Sequence, residues 1–157
     1  VSEMQSAVIR DLHPLLRINW AESGNEVGPA DPSELVELLA AYPHTPPDYL
    51  DIVRQYDFLS IGTQPGHEPY FSLSLLPPSD VLAWSDWYSW LPETMPGAFF
   101  FGRDGDMGLL TGEYDGMVGV FKVEISVGTW PDASYLAPSI RALLCEGTGW
   151  ANVGEPL

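Results

Sequence analysis

The chain offers few groups that could do covalent or metal chemistry, and most of those it offers are carboxylates. Asp104 with Asp106, and Glu113 with Asp115, are spaced two apart. Alternate residues of a strand share a face, so each pair could converge for acid–base work. Such work also needs surroundings that drive the two pKa values apart, and an acid-rich chain holds many pairs by chance. The expectation for both is therefore a solvated acidic rim, with a carboxylate-dependent hydrolase as the lesser alternative. Asp104-Gly105-Asp106-Met107-Gly108 has the look of a calcium loop. An EF-hand, however, wants a ligand at position five and Gly at position six, where this chain has Gly108 and Leu109. A hairpin turn is the expectation instead.

The remaining chemistry is sparse. His13, His44 and His67 are far from one another and from the lone Cys145, so the short ligand spacing of a zinc site is absent. Cys145 follows Leu143 and Leu144 and reads as a small buried hydrophobe with no base to activate it. The only lysine, Lys122, falls in a strand-like segment, which excludes a P-loop. No Gly-x-Ser-x-Gly elbow occurs. Neither catalytic residues, nor a metal, nor a cofactor is expected.

The dominant signal is charge. Twenty-two acidic residues face six basic ones, for a formal net charge of −16. A field of this sign repels nucleic acid and anionic lipid and steers cationic partners inward. Between residues 31 and 100 the only cation is Arg54. Glu34, Glu37, Asp48 and Asp51 therefore have few internal counter-ions, which favours a basic partner that supplies them. No apolar run approaches bilayer length. No secretory signal pattern stands at the N-terminus. A cytoplasmic protein with no membrane or nucleic-acid partner is the expectation, and its oligomeric state is open.

The elements that must carry these residues follow from periodicity and punctuation. Apolar steps of three and four predict a first helix over 3–18 and, after a polar loop, a second one. Asp31 is placed to cap that helix, Pro32 to open it and Glu34 to complete a capping box. Leu35, Leu38, Leu39 and Tyr42 form its apolar face, and Pro43 stops it. Thr45 is expected to cap a third helix opened by Pro46 and Pro47, with Tyr49, Ile52, Val53 and Tyr56 inward. From Pro69 to Leu75 the period is two, as in a half-buried strand. Pro77 to about Leu91 reads as a fourth helix, ended by Pro92. On it Val81, Trp84, Trp87, Tyr88 and Leu91 share a broad face, mostly core, with Trp90 at the edge as a possible partner anchor.

Strands are expected over Ala98–Gly102, Leu109–Tyr114 and Met117–Val127. Asp104-Gly105 and Asp115-Gly116 would turn the chain between them, since Asp-Gly suits a type I′ hairpin. A last helix starts near Pro138 and ends with Gly147 as its C′ residue. This order predicts one α+β domain over 1–157, an antiparallel or mixed sheet with a hairpin meander and about five flanking helices.

Three segments together resemble the SUKH superfamily, the Smi/Knr-type domain. In Leu35–Asp57 a helix is followed by Pro-Pro-Asp-Tyr-Leu and a second helix. In Tyr70–Trp84 a strand leads into Leu76-Pro77-Pro78-Ser79-Asp80-Val81-Leu82. In Phe99–Val123, Phe-Phe-Phe-Gly-Arg-Asp-Gly opens a hairpin. The likeness runs from about Pro32 to Gly147 and leaves residues 1–30 outside it. The chain departs from the family's pattern at Asp57-Phe58-Leu59, where Asn-Gly is usual, and at Ala41-Tyr42-Pro43, where a Leu-Gly turn is usual.

The resemblance implies an α+β fold and function by protein binding. Bacterial members are immunity proteins that neutralise polymorphic toxins, often nucleases, inside the producing cell. Fungal members are regulators that bind signalling partners. The family carries no shared catalytic residues. The expectation is thus an immunity protein meeting a basic toxin domain through Glu34, Glu37, Asp48, Asp51, Asp104, Asp106, Glu113 and Asp115, with Trp90 as anchor. A regulatory or scaffold module for an endogenous protein is the alternative.

Overall fold

Seven antiparallel strands form one sheet whose spatial order is their order in the sequence, β1 to β7. The computed structural model describes residues 6–20, 28–64, 66 and 71–150. The strands are β1 Leu16–Ile18, β2 Ser60–Thr63, β3 Ser72–Leu75, β4 Phe99–Asp104, β5 Met107–Tyr114, β6 Met117–Glu124 and β7 Ser134–Ala137. Among the described residues six α-helices accompany them: α1 Ala7–Arg10, α2 Pro32–Ala41, α3 Pro47–Val53, α4 Pro78–Trp87, α5 Leu91–Thr94 and α6 Ile140–Cys145. The class is α+β, and the meander expected at β4–β6 extends across the whole sheet. None of the described helices is long and apolar enough to cross a membrane.

Local chemistry explains most boundaries. The Asp31 carboxylate accepts from the Ser33 N–H at 2.9 Å and caps α2. The cap works through Ser33, without the reciprocal Glu34 bond of a capping box. Asp115 and Gly116 both have positive φ, 53° and 79°, as the β5–β6 type I′ turn requires. At the β4–β5 turn the centre lies one residue later than expected. Gly105 (φ 59°) and Asp106 occupy it, while Asp104 still belongs to β4. Ser139 caps α6 by accepting from Ala142 N–H, and Gly147 follows its end at φ 75°.

Three expectations change. The helix over 3–18 is cut to Ala7–Arg10 within the described part, and its second half becomes β1. Pro14 cannot donate inside a helix, and the His13 N–H instead reaches the Leu144 carbonyl at 3.0 Å. Thr45 does not cap α3; its hydroxyl donates back to the Tyr42 carbonyl at 2.6 Å and closes the turn after α2. The fourth helix breaks at Tyr88, and Pro92 sits in the first turn of the separate α5, where a missing N–H costs nothing. In the strand expected over Pro69–Leu75, Phe71, Leu73 and Leu75 are buried in alternation, while Pro69 and Tyr70 lie outside the described residues.

The core is aromatic. Residues 99–102 of β4 and 119–123 of β6 are buried without a break, as in strands covered on both faces. Phe99 meets Tyr42 and Tyr49 edge-on, at 5.4 and 5.2 Å between centroids, while Phe100 stacks on Trp84 at 5.5 Å. Tyr49 is fully buried, and its hydroxyl donates to the Leu76 carbonyl at 2.6 Å. This single bond ties α3 to the β3–α4 junction. Fully burying each such side chain stabilises the fold by about 1.5–3 kcal/mol.

Candidate binding surface

Helices α2 and α4 pack side by side with their N-terminal ends together. Glu34 in the first turn of α2 feels Asp80 in the first turn of α4, while Ala41 and Tyr42 at the other end share a cleft with Trp84 and Ser85. Two surface features therefore lie at opposite ends of one helical pair.

At the N-terminal end, carboxylates gather. Burial pushes the Glu34 carboxyl up, and Asp57, Asp31, Glu37 and Asp80 add repulsion in the same direction. Asp57 is raised by burial and then by Asp80, and Asp80 by burial alone. The Asp57 Oδ1 is sealed from solvent with no hydrogen-bond partner. The same three acids, after burial, also raise the Tyr49 phenol. No cation enters among the influences on Glu34, Asp57 or Asp80. The two ion pairs between described residues lie elsewhere and share one acid: Arg10 and Arg141 both meet Asp11, at 3.1 and 2.6 Å. Their hydrogen bonds hold Asp11 down to about 2.

The acids singled out from sequence divide into three groups. Glu34 and Glu37 belong to the cluster, with Glu37 exposed. Asp48 and Asp51 point inward to helix termini. The Asp48 Oδ2 accepts from the Arg141 N–H of α6 at 2.9 Å. Asp51 accepts from the Ser6 hydroxyl at 2.5 Å and the Val8 N–H at 3.0 Å at the start of α1. Burial raises Asp51, but the bonds from Ser6, Val8 and Ala7 outweigh it and leave its carboxyl low. These two carboxylates are occupied within the fold.

The last four acids sit at the two ends of β5, Asp104 and Asp106 at one turn and Glu113 and Asp115 at the other. Eight residues of strand separate those turns, or roughly 27 Å at 3.4 Å per residue, so the two pairs are not brought together. Asp104 is half-buried and raised by burial, whereas Asp106, Glu113 and Asp115 are exposed. Glu113 and Asp115 share their hairpin tip with exposed Tyr114, Met117 and Val118.

At the C-terminal end of the helical pair lies a cleft of about 370 Å³. Tyr42, Trp84, Phe99 and Phe100 wall it, and His44 and Ser85 supply polar groups. Trp84 is 4% exposed, and its indole N–H has no acceptor. Trp87 and Trp90, from the turns just beyond, are 54% and 40% exposed. Trp90 is thus at the surface, as its place at the edge of the apolar arc suggested, and Trp87 joins it there because α4 ends at Tyr88.

Asp57, Asp80 and the cleft are absent from the sequence-based set. Each of α2 and α4 starts with Pro and an early acid, Pro32 with Glu34 and Pro78 with Asp80. That local signal was available, but only the packing of the helices brings the acids within reach of one another's charge. Among the described residues no cluster of three His, Cys, Asp or Glu could hold a metal ion. No protein-family model matches the chain, and no curated protein is significantly similar to it.

Proposed function

We propose that this chain is a non-catalytic protein-binding module, an immunity protein of SUKH type that neutralises a basic toxin domain, often a nuclease, in the cytoplasm of the producing cell. The observation that carries this reading is the uncompensated carboxylate cluster on the α2–α4 edge. Glu34, Asp57 and Asp80 repel one another with no cation among their influences. Like charges held together cost folding stability, and a cationic partner recovers that cost on binding. A nuclease grips phosphate with a basic surface, and an acidic inhibitor arrives fast by steering and covers it. The SUKH likeness of Leu35–Asp57, Tyr70–Trp84 and Phe99–Val123 supports the same class of function.

The test is calorimetry with purified basic toxin domains, nucleases first and any encoded next to this chain included, at low and high salt, alongside co-expression in a sensitive host. Tight binding that weakens steeply with salt, together with rescue of growth, is the expected outcome. Glu37→Lys, exposed and distant from the core, should weaken binding at least tenfold, which is about 1.4 kcal/mol, without altering the fold. Absence of binding at either salt would overturn the immunity reading.

A further inference from the structure

We infer that the cleft at the C-terminal end of α2 and α4 is an anchor pocket, which takes one large apolar side chain from a Lys- or Arg-rich segment of a partner protein. The inference rests on the protein-binding reading and adds to it where the partner docks and what it must carry.

Three observations converge. First, the cleft volume of about 370 Å³ falls within the range of binding pockets, about 300–1,000 Å³. Its walls are mostly apolar, with four aromatic rings among them, so an apolar occupant gains contact without losing hydrogen bonds. Second, Trp87 and Trp90 stand exposed just beyond the cleft. Tryptophan is enriched among the residues that carry binding energy, and exposed large apolar surface at one region often marks an interaction site. The Trp90 indole lies against Gly128, where an added Cβ would come within 2.9 Å of its Nε1. Its position is therefore set by packing, as an anchor requires.

Third, the charge around the cleft selects the flanks of the occupant. Asp86 and Glu93 are exposed, and each adjoins a lining residue, Ser85 or Pro92. The other end of the same two helices bears the Glu34–Asp57–Asp80 cluster. One cation lies close: the Arg103 guanidinium stands 5.9 Å from the Trp84 ring and donates to the Gly105 carbonyl. The surroundings remain net acidic. An apolar residue flanked by Lys or Arg fits this surface, and an acidic segment is repelled.

The unpartnered Trp84 indole N–H, assigned by comparison with a Trp84→Phe spectrum, is the probe for nuclear magnetic resonance. The full chain is titrated with three synthetic peptides: Lys-Arg-Phe-Lys-Arg, Lys-Arg-Ala-Lys-Arg and Asp-Glu-Phe-Glu-Asp. The Phe-centred basic peptide should bind saturably, shift the Trp84 indole and the Met95 methyl, and bind at least tenfold more tightly than its Ala counterpart. Ala41→Trp, at an exposed helix end lining the cleft, should abolish that tenfold gain while leaving the thermal midpoint and the weak binding of the Ala peptide unchanged.

If the two basic peptides behave alike and shift only the α2 and α4 N-terminal turns, the anchor pocket is overturned while the basic-partner reading stands. If the acidic peptide binds the cleft as well as the basic one, the charge selection is overturned. If no peptide perturbs any resonance, both readings fall.

Discussion

Asp51 and Asp57 are both half-buried carboxylates, yet they act on stability in opposite directions. Asp51 satisfies the start of α1, with bonds from the Ser6 hydroxyl and the Val8 N–H that lower its pKa. A group lowered on folding stabilises above its unfolded pKa, about 3.9, and loses that contribution as pH falls through its folded value. Asp51→Ala should cost about 0.5–2 kcal/mol at neutral pH, the range for a lost helix cap. Asp57 is raised by burial and by Asp80, with one oxygen sealed and unpartnered. The folded chain then takes up this proton before the unfolded chain does. Its contribution to stability therefore grows as pH falls from neutrality through the folded pKa, and levels off near pH 4. Asp57→Asn should raise the urea midpoint at pH 7 and flatten the gain in stability on mild acidification. An unchanged slope on mild acidification would mean that neither burial nor Asp80 raises Asp57 in the folded chain.

The elements of this chain differ in how openly the sequence displays them. Where one local rule acts alone, its outcome was legible: Asp31 before Pro32, Asp115-Gly116 between apolar runs, Gly147 after α6. Where two rules compete, the tertiary contact decides. Leu12, Leu15 and Leu16 fit a helical period, but Pro14 breaks it and pairing with β2 claims Leu16–Ile18. Strands β1, β2 and β7 have three or four residues each, too few for alternation to stand out, and β1 finds its partner β2 far along the chain. The acidic cluster was half visible for the same reason: Glu34 and Glu37 lie on one helix, but Asp57 and Asp80 join them only through packing.

Two glycines separate backbone freedom from backbone contact at this scale. Gly119 has φ 150°, and an added Cβ would lie 2.2 Å from the Ala137 carbonyl oxygen, beside the irregular β6–β7 register. Gly116 has φ 79° with open space around it. Gly119→Ala should cost about 3 kcal/mol or more, because backbone must move. Gly116→Ala should cost only the left-handed penalty of about 1–2 kcal/mol. Equal losses in denaturant melts would show that β7 yields to the new methyl.

Across the whole molecule, charge sets two salt responses of opposite sign. A formal charge of −16 repels itself most in the compact state, and the unfolded chain spreads the same charges apart. Screening shortens the reach of this repulsion from about 30 Å at 0.01 M salt to about 8 Å at 0.15 M. The isolated chain should therefore become more stable over that interval, with a higher melting temperature in sodium chloride. The few favourable pairs that salt also weakens cannot reverse the trend. Both pairs among described residues converge on Asp11, beside exposed or half-exposed arginines, where such contacts contribute little. A complex with a basic partner responds the other way, because the attraction that assembles it is screened by the same ions. Measured together, a melting temperature that rises with salt and an association constant that falls with it would identify one cause for both, the uncompensated acidic surface. A melting temperature that falls with salt would mean that attractive pairs dominate the folded state, and the cluster at Glu34, Asp57 and Asp80 would then lose its standing as a surface waiting for cations.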